Sequence, residues 1–194
     1  MTTYDKMDRA IFLALNFDGG PFLDSFFYTI SNNLAFMPIA LLAIWMICHS
    51  TSLTDRRTLG WRRGLLAAAI IILAVIAADQ VCNLAKYGIG KLRPSHNPDL
   101  AGLIHLVKGK TGGLYGTFSA HAATVFTMVT ASSRLVRKGW FTFVMLLWAV
   151  AVCYSRIYLG KHYLTDIIYG AAVGVLFGML SLAVYARIEK WVRS

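Results

Sequence analysis

Residues 64–84 read GLLAAAIIILAVIAADQVCNL, a run of mostly apolar side chains in which Asp79 is the one charged group. About 20 apolar residues in a helix cover the roughly 30 Å hydrocarbon core of a bilayer. The stretch therefore predicts a membrane-spanning α-helix. Four other runs share its character: about Leu34 to Cys48, Ala120 to Leu135, Trp140 to Tyr154, and Tyr163 to Ile188. With 57% hydrophobic and 14% charged residues in a chain of 194, the composition lies outside that of soluble domains. The fold expected is all-α: a polytopic transmembrane helical bundle of five to six spans, forming one domain over residues 1–194. Ahead of the spans, Asp8–Phe17 and Pro21–Ile30 are shorter, aromatic and interrupted by DGGP. They predict interfacial amphipathic helices within residues 1–32 in preference to a sixth, broken span. The first apolar stretch is too short, and its flanks too acidic, for a signal peptide, so the N-terminus is expected to be retained.

The net charge of +10 raises the question of nucleic acid, whose readers carry a basic stripe on a soluble fold. Here the basic residues fall in the gaps between apolar runs, which fits membrane orientation and anionic head groups. No nucleic-acid partner is expected. Cys48, Cys82 and Cys153 lie in or at the end of apolar runs without metal-ligand spacing, so they read as small buried hydrophobes. No disulfide, metal or cofactor is expected.

Positive charge sets the orientation. The linker STSLTDRRTLGWRR carries Arg56, Arg57, Arg62 and Arg63; the loop after the third run carries Arg134, Arg137 and Lys138; the tail carries Arg187, Lys190 and Arg193. Alternating spans put all three on one face, which is therefore cytoplasmic, with the C-terminus. The opposite face is basic too, through Lys86, Lys91, Arg93, Lys108, Lys110, Arg156 and Lys161. Orientation does not require cations there, and binding an anion is the most direct reason for them.

Three fragments meet on that second face: KYGIGKLRP at residues 86–94, FSAH at 118–121, and SRIYLGKHYLTD at 155–166. A phosphate ester resists nucleophiles because its own oxygens are negative, so fixed cations must offset that charge in the transition state. Arg93 and Arg156 can offer paired donors to phosphate oxygens. Lys86 adds a compact charge, and Ser119 a hydroxyl. The N-terminus of the third span, including Ala120, can add backbone N–H groups and its dipole. With no metal cluster in the sequence, a histidine must supply the nucleophile. His162 and Asp166 are one helical turn apart if the last span begins near Lys161. Asp166 can then hold one ring nitrogen while the other attacks. His121, on another helix at the same depth, is the candidate general acid and later the base for water.

These three fragments resemble the signature of the type 2 phosphatidic acid phosphatase (PAP2) superfamily, integral-membrane lipid phosphatases whose fold is shared by vanadium haloperoxidases. The signature reads K-x6-RP, PSGH and SR-x5-H-x3-D. Lys86, Arg93 and Pro94 match the first element; Ser155, Arg156, His162 and Asp166 match the third. In the second, Ser119 and His121 are kept, while Phe118 replaces proline and Ala120 replaces glycine. Alanine tolerates positive φ poorly, so the backbone at Ala120 must be helical or differ from the family's. The resemblance implies hydrolysis of a terminal phosphate from a lipid phosphate or diphosphate through a phosphohistidine on His162. Undecaprenyl diphosphate, phosphatidylglycerophosphate, phosphatidic acid and lipid A phosphates are the substrates it admits. Small size suggests a bacterial inner membrane, with the site on the periplasmic face. The alternatives are a catalytically weak relative that binds anionic lipid, and a small transporter, which would not require His121, His162 and Asp166 together.

Other polar residues read more plainly. Lys91, Lys108, Lys110 and Lys161 are expected to be solvated loop lysines more often than substrate contacts, and His96 and His105 loop residues. Asp79 is either functional or paired with a cation, Gln80 or Asn83. Gly170, Gly174 and Gly178 recur every four residues, the pattern of close helix packing in membranes.

Overall fold

A computed structural model describes residues 3–51 and 59–191. Arg56, Arg57 and Arg193, assigned above to the cytoplasmic face, lie outside those residues. The described chain is helical, with seven α-helices: α1 (Thr3–Leu15), α2 (Gly20–Ile30), α3 (Phe36–Cys48), α4 (Gly60–Ile89), α5 (Ala120–Val136), α6 (Gly139–Tyr158) and α7 (Leu164–Trp191). Helix α4 ends where Gly90 enters the left-handed region at φ 68°. The chain then runs through a long loop with three single-turn helices between Pro94 and Gly109 before α5 begins.

Helices α4, α6 and α7, with 30, 20 and 28 residues, are long and apolar enough to cross a membrane. Their outer faces expose Ile72, Leu73, Ile76 and Leu84 on α4, Phe143, Leu147 and Val150 on α6, and Leu176, Met179 and Leu180 on α7. Continuous apolar exposure of this kind needs lipid to cover it. The other two expected spans, found within two residues of their expected bounds, are shorter than these three. Helix α3 has 13 residues and α5 has 17, about 20 and 25 Å at 1.5 Å per residue. The reason is position. Helix α5 is central, packed by α3, α4, α6 and α7, and neighbouring helices cover most of its surface in place of lipid.

The glycine stripe explains how tightly that centre packs. A Cβ on Gly174 would lie 2.5 Å from the Ala123 carbonyl oxygen, and one on Gly178 would lie 2.6 Å from Thr130 Cβ; at Gly170 it would strike the Ser119 carbonyl. Backbone thus lies against backbone along α5 and α7, which matters because apolar burial drives little association inside lipid. Thr127 Oγ1 also donates to the Gly174 carbonyl at 3.2 Å. At the end of the stripe the Ser119 N–H donates to the Asp166 carbonyl at 2.9 Å. The first turns of α5 and α7 are thereby locked side by side.

Helices α1 and α2 are too short to span and dock at this same end. Asn16, just after α1, donates to the carbonyls of His105, Ile157 and Tyr158. Phe12 of α1 is fully buried and meets Tyr163 edge-on at 5.5 Å, while Phe27 of α2 stacks near Tyr154 and Tyr158. Their other faces expose Tyr4, Met7, Phe22 and Phe26, as expected of helices lying at an interface.

Candidate active site

His162 lies in the short turn between α6 and α7, almost wholly buried. Its Nδ1 is 2.8 Å from the Gly116 carbonyl oxygen and 3.3 Å from Asp166 Oδ2. A carbonyl only accepts, so Nδ1 carries the proton and Nε2 keeps its lone pair. Burial, then the charges of Arg156, Arg93 and Lys86, push the His162 pKa well below that of an ordinary imidazole. The ring is therefore held neutral with one free nitrogen. Asp166 Oδ2 also accepts from the Tyr163 N–H at 3.1 Å, which fixes the carboxylate relative to the turn.

The three cations converge from separate elements. Arg156, in the last turn of α6, is 5% exposed. Its Nη1 donates to Ser31 Oγ, while its buried Nε lacks a partner among the described residues. A buried guanidinium N–H of this kind is a donor suited to an anion's oxygen. Arg93 Nε donates to the Tyr115 carbonyl at 2.9 Å. Its Cγ lies where a side chain on Gly116 would have to go, 2.6 Å from an ideal Cβ. Lys86 is held by Asn83 at 2.8 Å, and Asn83 in turn donates to Asp79 at 2.9 Å. Positions 79, 83 and 86 share one face of α4, so the reading of Asp79 as a paired group describes what is found. Its carboxylate nonetheless lines a cavity with His121.

Ser119 is fully buried and caps α5, its Oγ accepting from the Ala122 N–H at 3.4 Å. Ala120 is the first helical residue, which settles its backbone as helical and removes any demand for glycine there. Helix geometry leaves the N–H groups of Ala120 and His121 without intrahelical acceptors. His121 is held more lightly than His162. Its Nε2 lies 3.3 Å from the Ser31 carbonyl, its ring meets Phe36 edge-on, and it lines a cavity of about 280 Å³ with Phe36, Asp79 and Thr124. A second cavity of about 520 Å³ is lined by Lys86 and Arg93 with Asn83, Tyr87, Gly113, Leu114 and Tyr115.

Three participants escaped sequence reading. Gly116 acts through its carbonyl, for which no side chain speaks. Ser31 arrives from the end of α2, touching both Arg156 and His121. Lys91, expected to be solvated, instead pairs with Asp8 at 3.2 Å and Asp166 at 3.4 Å; its place inside KYGIGKLRP was the available signal. Lys161 also departs from a solvated lysine. Burial, then Arg156 and Arg93, lower its pKa to about 8, so it belongs to the cation cluster. Lys108 and Lys110 instead lie over the Tyr28 ring.

Among the described residues, one group of potential metal ligands occurs, Asp18, Asp24 and His105, with ligand atoms within 4.8 Å of one another. It is engaged otherwise: Asp24 Oδ1 accepts from Tyr158 at 2.7 Å and lies 2.8 Å from His105 Nε2. None of the expected site residues is among them.

Known proteins share both the sequence pattern and the fold. Lipid A 4'-phosphatase of Porphyromonas gingivalis is 31% identical over 190 residues, covering 96% of this chain and 77% of its own. Lipid A 4'-phosphatase of Bacteroides thetaiotaomicron is 32% identical over 177 residues, covering 90% and 75%. A transmembrane PAP2 type phosphatidylglycerolphosphate phosphatase from Bacillus subtilis superposes with a TM-score of 0.69 at 20% identity, over 97% of this chain and 89% of its own. The PAP2 superfamily pattern itself matches residues 64–190, and this integral membrane chain belongs to that superfamily.

Proposed function

We propose that this protein is a membrane lipid phosphatase that removes a terminal phosphate through a phosphohistidine on His162, without a metal ion. The observation that carries the reading is the fixed tautomer of His162. Gly116 and Asp166 both accept from Nδ1–H, leaving Nε2 as a nucleophile beside Lys86, Arg93 and Arg156.

In the first step Nε2 attacks phosphorus and the bond to the leaving oxygen breaks. The positive charge arising on the His162 ring is offset by Asp166. The cations and the first-turn N–H groups of α5 take the charge on the phosphoryl oxygens. The leaving oxygen needs a proton, which His121 donates; bound phosphate favours the protonated imidazolium that can give it. In the second step His121 accepts a proton from water, the water oxygen bonds to phosphorus, and the P–N bond breaks to restore Nε2.

The substrate class follows from setting. The site lies at one end of a lipid-facing bundle, so a phosphorylated head group can reach it while its chains stay in the bilayer. Two relatives named for lipid A 4'-phosphate make a lipid A phosphate the first candidate, ahead of undecaprenyl diphosphate, phosphatidylglycerophosphate and phosphatidic acid. The proposed location is a bacterial inner membrane with the site on the periplasmic face.

The test is phosphate release in detergent from this panel of lipids, by wild type and His162→Ala, with and without EDTA. Release by wild type that EDTA leaves intact and His162→Ala abolishes is the expected result. Undiminished release by the variant overturns the nucleophile assignment, and loss on chelation overturns the metal-free route. No release from any lipid favours an anionic-lipid binding protein.

A further inference from the structure

Lys91 stands where both acceptors of the His162 proton are secured. Its main-chain carbonyl accepts from the Gly116 N–H at 3.0 Å, next to the antiparallel bridge between Leu92 and Tyr115. That bond fixes the peptide whose carbonyl receives Nδ1–H. Its side chain reaches the other acceptor, with Nζ 3.4 Å from Asp166 Oδ1, while Asp166 Oδ2 faces the imidazole. One residue thus holds two partners of one proton by two independent routes.

The lysine is itself held from behind. Asp8 of α1 takes Lys91 Nζ at 3.2 Å and the hydroxyl of Thr165 at 2.5 Å; Thr165 in turn lies 3.3 Å from Nζ. Both carboxylates are deeply buried, at 4% and 1% side-chain exposure, and Lys91 sits between them. Burial alone would lower the lysine pKa, but Asp166 and Asp8 outweigh it and hold the pKa above its ordinary value. Removing one partner of such an arrangement leaves an uncompensated buried charge. Lys91 lines neither of the cavities that contain His121 or Lys86. It opens on a separate cleft of about 380 Å³ with Asp5, Asp8, Arg9 and Asp99.

We propose that Lys91, braced by Asp8 of the N-terminal helix, is a positioning residue for His162: it aims Asp166 and the Gly116 carbonyl at Nδ1 without touching the phosphate. The proposal rests on the phosphohistidine reading. It gives α1 a part in the chemistry, since the brace runs from Asp8 of α1 to the Asp166 carboxylate through one side chain.

A residue that acts through the nucleophile changes the rate of attack and leaves phosphate binding alone. Lys91→Met keeps the stem and the main-chain bond while removing the charge. It is expected to lower kcat by about 10- to 100-fold, the range typical of outer partners that orient a ligating or reacting histidine, with KM within about twofold. Lys91→Arg should recover most of the rate. Asp8→Asn should lower kcat less than Lys91→Met, and the double variant should match Lys91→Met alone, since both act along one path.

The experiment is steady-state phosphate release from the best lipid of the panel by these variants, beside wild type and His162→Ala, with thermal midpoints in the same detergent to set aside variants that do not fold. If Lys91→Met is misfolded, Asp8→Asn and Lys91→Arg carry the kcat-against-KM comparison. A raised KM at unchanged kcat overturns the proposal by making Lys91 a phosphate ligand, and unchanged kinetics overturn it outright. Release that survives His162→Ala overturns the phosphohistidine reading instead, so the two failures are distinct.

Discussion

The two histidines of the site are held in opposite ways. His162 is sealed in, its Nδ1 shared between a carbonyl and a carboxylate. His121 borders an open cavity and makes one long hydrogen bond, to the Ser31 carbonyl at 3.3 Å. The difference fits the two proposed tasks. A nucleophile must present the same nitrogen at every turnover, so any second tautomer wastes binding events. A proton donor that later becomes an acceptor must exchange the resting carbonyl for a leaving oxygen and then for water. Rigidity serves the first and would obstruct the second.

The sharpest way to break this comparison is to change the leaving group. His162→Ala should lose on the order of 10⁴-fold in turnover, as when a catalytic dyad is disabled, on a lipid phosphate and on an aryl phosphate alike. His121→Ala should lose about 10²- to 10⁴-fold on the lipid. On an aryl phosphate, whose leaving oxygen departs without a proton, its first step should recover. Phosphoenzyme, stable to base and labile to acid, should then accumulate in His121→Ala, because water lacks its base. Equal defects for both leaving groups in both variants would show that the histidines do not divide the labour.

Acidity probes the cations between them. Lys161, with a pKa lowered to about 8, is charged below that value and loses its proton above it. Phosphate capture, read as kcat/KM, should therefore fall as pH rises through about 8, by up to tenfold over a unit. Lys161→Arg, charged throughout, should move that limb to higher pH. A limb unmoved by the arginine would assign it to another group.

The smallest effect concerns Ser31. Its hydroxyl occupies one donor of Arg156 in the resting site, so incoming phosphate must compete with it. Ser31→Ala removes one acceptor of a charged donor, a bond worth about 1.5–3 kcal/mol of which water regains most, and KM should fall about two- to tenfold at unchanged kcat. A higher KM would make Ser31 a substrate ligand.

How legible this was depends on what carries each function. Apolar runs announced α4, α6 and α7, since lipid-facing helices must advertise themselves in composition. The side chains at Lys86, Arg93, Arg156, His162 and Asp166 could be matched by spacing, because each sits at the end of a helix whose boundary was readable. Helix α5 was placed within one residue of its bounds, but that it sits at the centre of the bundle was not legible, because hydropathy cannot tell protein from lipid. Gly116 was beyond reach, since a carbonyl's aim depends on the backbone around Leu92 and Tyr115. Ser31 and Asp8 were missed for a related reason. Each contacts residues far along the chain, and such pairs leave no local periodicity.

The brace from Asp8 to Thr165 joins positions 157 apart in the chain, and the bond from Gly116 to His162 closes 46. Contacts of such separation are slow to form and arrive after local helices. Synthesis adds a direction, because the N-terminal helix emerges long before the last span. Competence then requires α7: nascent protein stalled before residue 165 should insert its earlier helices yet form no phosphoenzyme. A partly made enzyme of this design would leave the membrane's phosphates untouched until α7 is in place.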